Sequence, residues 1–160
     1  MRQGSLRKAL GFAARKPREA WLVVRLAAWV AALSALVKFL PLPKALSLVA
    51  TAPREPTGGA GRIVEERIAQ LLDAVLAADV LCFTPTCWKR APVLHRYLAL
   101  AGRPTRIVFG MRKGGGGLLD GHAWLEDGGG ALFEATARPD YTVTYTFPPP
   151  RPARGLQTRA

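Results

Sequence analysis

Residues 87–102 read CWKRAPVLHRYLALAG, residues 121–126 read GHAWLE, and residues 131–134 read ALFE. The first run repeats apolar residues at helical spacing and closes on Gly102, which predicts a helix headed by Cys87. Between the first two runs lie the apolar, β-branched stretch TRIVFGMR (105–112) and the glycine-rich segment KGGGG (113–117). The spacing predicts strands over 104–112, 121–126, 131–136 and 141–147. Helices come first and strands follow, which gives α+β, with a Cys-bearing helix packed on a small antiparallel sheet.

Cys87, His122 and Glu134 form a nucleophile, base and acid in chain order. A cysteine nucleophile acts as its thiolate, which a helix start favours and an adjacent imidazole maintains. The chain holds only two Cys and two His. His95 lies eight residues into the Cys87 helix, about two turns away. His122 is therefore the base to pair with Cys87. Cys82 sits in CFTPTC, which is neither a redox CxxC nor a zinc pattern, and reads as a buried apolar residue. Trp124 follows His122 by two and shares its face on a strand, so it would wall the site. Trp88 follows the nucleophile, and the N–H groups of Cys87 and Trp88 are natural oxyanion donors at a helix start.

These residues resemble the transglutaminase-like core of the lasso-peptide leader peptidases, the B-proteins similar to the C-terminal domain of the microcin-processing protein. The shared elements are C-x-x-R (Cys87 to Arg90), a Leu-rich helix closed by glycine, a strand ending in glycine, and H-A-W-x-E (His122 to Glu126). The match runs over residues 80–147. The resemblance implies a papain-like order of Cys, His and acid, peptide hydrolysis, and neither metal nor cofactor. It also implies a precursor leader peptide as substrate, a separate leader-recognition protein and a cyclase acting on the product. Two positions depart from the pattern: Glu134 stands where the family has Asp, and Pro92 falls inside the helix, where it removes a backbone hydrogen bond.

The acid is open to a parity argument. His122 and Glu134 flank the turn DGGG (127–130), and strand side chains alternate faces, so the loop length decides whether the two meet. Asp127 and Asp140 are fallback acids. Asp120 shares the face of His122 if the strand begins early enough. The ordinary role for Asp120, Asp127 and Asp140 is that of solvated surface carboxylates.

The net charge is +12 over 160 residues, with Arg2, Arg7, Lys8, Arg15, Lys16 and Arg18 in the first 18. Such a balance favours acidic partners, an acidic leader or an anionic membrane surface. No finger, RNP pattern or recognition helix is legible, so nucleic acid is not an expected partner. The apolar run 20–40 is long enough to span a membrane, but Arg25 and Lys38 interrupt it. Leu22, Leu26, Trp29, Leu33, Leu36 and Leu40 form one stripe, which predicts a core or interfacial helix. A cytoplasmic location, with membrane association through this helix, is the expectation.

Three regions follow: a basic N-terminal arm, apolar helix and linker (1–61), a transglutaminase-like cysteine protease core (62–147) and a disordered tail (148–160). Residues 41–53 read as a turn and short helix. Residues 62–79 form an amphipathic helix with Ile63, Ile68, Leu71, Leu72, Val75 and Leu76 on its core side. The functional expectation is a cysteine peptidase of peptide maturation. The alternatives are a non-catalytic peptide-binding scaffold and an acyl or amide transferase using the same residues.

Overall fold

A computed structural model describes residues 16–54, 62–78, 87–114, 118–128, 130–133 and 140–149. Among these residues the elements are helices α1 (Pro17–Phe39), α2 (Leu42–Val49), α3 (Arg62–Ala77) and α4 (Cys87–Leu100). Strands β1 (Arg106–Lys113), β2 (Leu119–Asp127), β3 (Gly130–Leu132) and β4 (Thr142–Phe147) follow. The strands form one antiparallel sheet in the order β3-β2-β1-β4. The protein is α+β, as the order of patterns predicts.

Local chemistry sets the element ends. Pro17 stands at the start of α1, where its fixed φ is already helical and its missing N–H costs nothing. Leu40 precedes Pro41, a position that disfavours helical backbone, and it turns extended at φ −127° and ψ 146°. Helix α4 closes on Gly102 at φ +86°. The Arg103 N–H donates to Leu98 O at 2.9 Å and the Gly102 N–H to Ala99 O at 3.0 Å. That is the Schellman pair of bonds, for which glycine carries no Cβ penalty. Pro104 then stops any continuation.

The core lies between the helices and one face of the sheet. Leu26, Val30 and Leu33 of α1 meet Leu46 of α2, Leu72 of α3, Val93, Leu94 and Leu98 of α4, and Ile107 and Leu125 of the sheet. Each fully buried leucine contributes about 2 kcal/mol by removal from water. The stripe read on 20–40 is the face that is buried, while Ala28, Ala35 and Lys38 stay exposed. Ile63 departs from its expected place. It is 81% exposed, because it occupies the first turn of α3, ahead of the residues that reach α1 and α4.

Two polar side chains at the edge of the core, His95 and Arg103, have local partners. His95 Nδ1 and Thr105 Oγ1 lie 2.8 Å apart, and the His95 ring meets Phe147 edge-on at 6.1 Å. Arg103 joins α3 to the end of β2, bonding Glu65 at 2.5 Å and also Asp127. Pro92 is accommodated within a continuous α4, where it is buried and leaves the Trp88 carbonyl without its usual intrahelical donor. The 113–117 segment keeps its ends together through Gly114 N–H to Leu118 O at 2.7 Å. Residues 115–117 lie outside the described residues, as does the tail from 150 onward.

Candidate active site

Cys87 is the first residue of α4, and its thiol is half-buried. The first N–H groups of a helix have no intrahelical acceptor and present partial positive charge. Cys87 and Trp88 both lie in that first turn. The end of α4 abuts β2, where Cys87 Sγ stands 4.0 Å from the carbonyl oxygen of Gly121, the residue before His122. Cys87, Trp88, Gly121 and His122 border one cleft of about 360 Å³, whose remaining wall includes Leu42, Phe109, Met111 and Tyr145. Its lining is mainly apolar. A larger hollow of about 540 Å³ lies beside Arg106, Glu126 and Gly130, and among its described walls there is no Cys or His.

Alternation along β2 sets the orientation of each group. Ala123 and Leu125 join the core on the α4 side. Asp120, His122, Trp124 and Glu126 fall on the other parity. The His122 imidazole stacks on Trp124 with centroids 5.9 Å apart and planes 14° apart. It also meets the Tyr141 ring at 5.6 Å. Trp124 is buried, and its indole N–H donates to Glu126 Oε1 at 2.9 Å. Trp124 therefore does flank His122, as their spacing predicts. Trp88 is half-buried on the cleft, with the Lys89 ammonium 5.3 Å from its ring centre.

The carboxylates separate by place. Glu134 lies outside the described residues. The β2–β3 ladder pairs Leu125 with Leu132 and Asp127 with Gly130. The ladder ends at Leu132, and Phe133, the last described residue of this segment, stands at φ +54°. Arg90, the basic residue of C-x-x-R, holds Asp73 through bonds of 2.6 and 3.1 Å and reaches the Phe133 carbonyl at 3.5 Å. It thereby ties α4 to the Phe133 backbone. Asp127 is five residues from His122, roughly 17 Å along a strand, and is engaged by Arg103. Asp140 is exposed.

Asp120 differs from these. Strand β2 begins at Leu119, so Asp120 does share the face of His122. Its carboxylate accepts the Tyr141 hydroxyl at 2.7 Å and Arg112 Nε at 2.9 Å. The Tyr141 hydroxyl, the Arg112 guanidinium and the nearby His122 together hold its pKa below the usual carboxylate range. From sequence alone Asp120 reads as a solvated carboxylate, and Arg112 and Tyr141 do not stand out. The available signal was the position of Arg112 and Asp120 on either side of the glycine segment.

His95 is where the spacing puts it, buried in the middle of α4 and remote from the cleft. Cys82 lies outside the described residues. Among the described residues no three His, Cys, Asp or Glu side chains converge on a metal-binding geometry.

A family model described as the transglutaminase-like superfamily matches residues 27–146. The chain belongs to the transglutaminase-like superfamily. That superfamily includes cysteine peptidases, and its members are commonly cysteine-dependent enzymes. The match begins inside α1, whose buried face shares one core with α3 and α4. Neither the curated proteins nor the solved structures contain a match to this chain.

Proposed function

We propose that this protein is a cysteine peptidase that removes the leader from a ribosomally made precursor peptide, in lasso-peptide or related biosynthesis. The observation that carries this reading is the placement of Cys87, at the head of α4, against the strand that bears His122. Superfamily membership and the C-x-x-R and H-A-W-x-E elements support it. In this reading Cys87 Sγ attacks the scissile carbonyl and His122 takes the thiol proton. The oxyanion is met by the N–H groups at the start of α4. His122 returns the proton to the leaving amine, and water then hydrolyses the thioester with His122 as base. Glu134 is the proposed acid of the triad, orienting His122.

The apolar cleft suits uncharged residues on either side of the scissile bond, and the charge of +12 suits an acidic leader. A separate recognition protein would deliver the leader and a cyclase would take the product. Helix α1 favours attachment to a membrane surface: Trp21 and Phe39 are 64% and 84% exposed, and Arg18, Arg25 and Lys38 are exposed beside them. It is also the one described helix long and apolar enough to cross a bilayer.

The test is incubation of the precursor with the full chain and the recognition protein, followed by mass spectrometry of the products. Release of intact leader by the wild type, and none by Cys87→Ala or His122→Ala, is expected. Full cleavage by Cys87→Ala overturns the reading. Binding without cleavage by the wild type identifies a peptide-binding scaffold. Transfer of the acyl group to an added amine in preference to water identifies a transferase.

A further inference from the structure

His122 is bracketed by one side chain of its own strand and one from just ahead of β4. The Trp124 indole lies nearly parallel to its imidazole, and the Tyr141 phenol meets it at 44°. Trp124 and Tyr141 also touch each other, with centroids 6.2 Å apart, so the three rings close a triangle. Tyr141 is itself held twice. Its hydroxyl donates to Asp120 Oδ2 at 2.7 Å, and the Arg112 guanidinium lies 4.7 Å from its ring centre. Arg112 closes the circuit through Nε to the same oxygen of Asp120 at 2.9 Å.

The register makes this circuit possible. Arg112 pairs with Asp120 across β1 and β2, and Gly110 pairs with His122. An exposed Arg–Asp pair contributes little stability by itself. Here, however, one carboxylate oxygen collects a charge-assisted bond and a phenolic bond, and both donors belong to the assembly around the imidazole. That is more organisation than a surface ion pair needs.

We propose that Asp120 is a positioning residue for His122, acting through Tyr141 and Arg112 to fix the imidazole at the mouth of the Cys87 cleft. The use of that position for proton exchange with Cys87 rests on the peptidase reading; the holding of the ring does not. Among the described residues, Trp124 and Tyr141 contact the imidazole, Asp120 on its own strand interacts with it electrostatically, and the Arg112 guanidinium lies behind Tyr141 and Asp120. Asp140 lies beyond Arg112, and Glu126 is bonded to Trp124. Because the Asp120 pKa lies below the usual carboxylate range, the circuit stays charged throughout the neutral range.

The experiment follows the proton signals of the His122 ring by NMR in a His95→Gln background, which leaves a single imidazole in a chain with two histidines. Stacking on Trp124 displaces these signals from free-imidazole positions. Asp120→Asn and Tyr141→Phe are expected to move them by at least half of that displacement. In a Cys82→Ala background they are also expected to slow iodoacetamide labelling of Cys87 on the order of tenfold. The double variant is expected to be no worse than the poorer single one, because both substitutions open one circuit. Asp120→Glu restores part of the effect. A merely structural role would lower the melting temperature and leave the ring signals in place. Ring signals unchanged in Asp120→Asn overturn the proposal whatever the labelling shows. Displaced ring signals, with labelling indifferent to His122→Ala, uphold the positioning role and overturn the peptidase reading instead.

Discussion

Gly110 lies directly opposite His122 in the β1–β2 ladder, and the space that a Gly110 side chain would enter is occupied by Trp124 and Tyr141. A Cβ at this position would stand 2.9 Å from Trp124 Cη2 and 2.9 Å from Tyr141 Cβ. The glycine is required by close approach, and the aromatic pair it admits is the pair that touches the imidazole. A β-bulge at Phe109/Gly110 lets β4 follow the same bend.

Gly110→Ala should therefore act on both stability and the site. The added methyl must displace an indole and a backbone-proximal carbon, a form of overpacking that costs roughly 1–3 kcal/mol. Thermal melting should fall, and Cys87 labelling should slow by more than in a control such as Gly121→Ala. A Cβ at Gly121 meets nothing within 4 Å, and its carbonyl contact to Cys87 is retained. Equal effects of the two substitutions would show that the aromatic pair does not govern His122.

Arg103 gives a second prediction. It bonds Glu65, which is buried, and Asp127, which is half-exposed. Arg103→Leu leaves the Glu65 carboxylate buried without this cation, at a cost of about 3 kcal/mol. Glu65→Gln should cost less, about 1 kcal/mol, because the amide needs no counter-charge. Asp127→Asn should leave Cys87 labelling within about twofold of wild type, since β2 sets it roughly 17 Å from His122. A collapse of labelling in Asp127→Asn would show that this carboxylate serves the site after all.

His95 should make the fold acid-sensitive. Burial holds its pKa below the ordinary value of 6.5. As pH falls through that value the unfolded chain takes up a proton and the folded chain does not, so stability declines from about pH 6.5 downward. His95→Gln retains a polar partner for Thr105 and removes this titration. Wild type should lose several degrees more than His95→Gln in melting temperature between pH 7.5 and pH 5.5. Equal losses would place the acid sensitivity elsewhere.

The exposed side of α1 can be tested with vesicles. The full chain should sediment with anionic phosphatidylglycerol vesicles more than with neutral phosphatidylcholine ones, and added salt should weaken the binding. Trp21→Ser with Phe39→Ser should reduce it without lowering thermal stability, because both side chains face solvent. Equal binding to neutral and anionic vesicles would remove the electrostatic part of the proposal.

Much of this architecture is readable from local chemistry. The helical period and Gly102 place α4 from Cys87 onward, and alternation places His122 and Trp124 on one face of a strand. The leucine stripe of α1 predicts the buried positions Leu26 and Leu33, although Ile63 shows that a stripe extends only as far as a partner reaches it. Periodicity reports which side of an element is apolar and not where the neighbouring element ends.

By itself the sequence determined the α+β order, the position of the helix headed by Cys87 and the strand that carries His122. These follow from spacing within a dozen residues and from steric rules at Gly and Pro. Only the tertiary structure brought Asp120, Arg112 and Tyr141 together beside the imidazole. Asp120 meets Arg112 because β1 and β2 close in one register, and both meet Tyr141 because β4 returns to β1 rather than to β3. Strand order and register are fixed by burial of a whole sheet face, an energy that no short stretch of sequence carries alone.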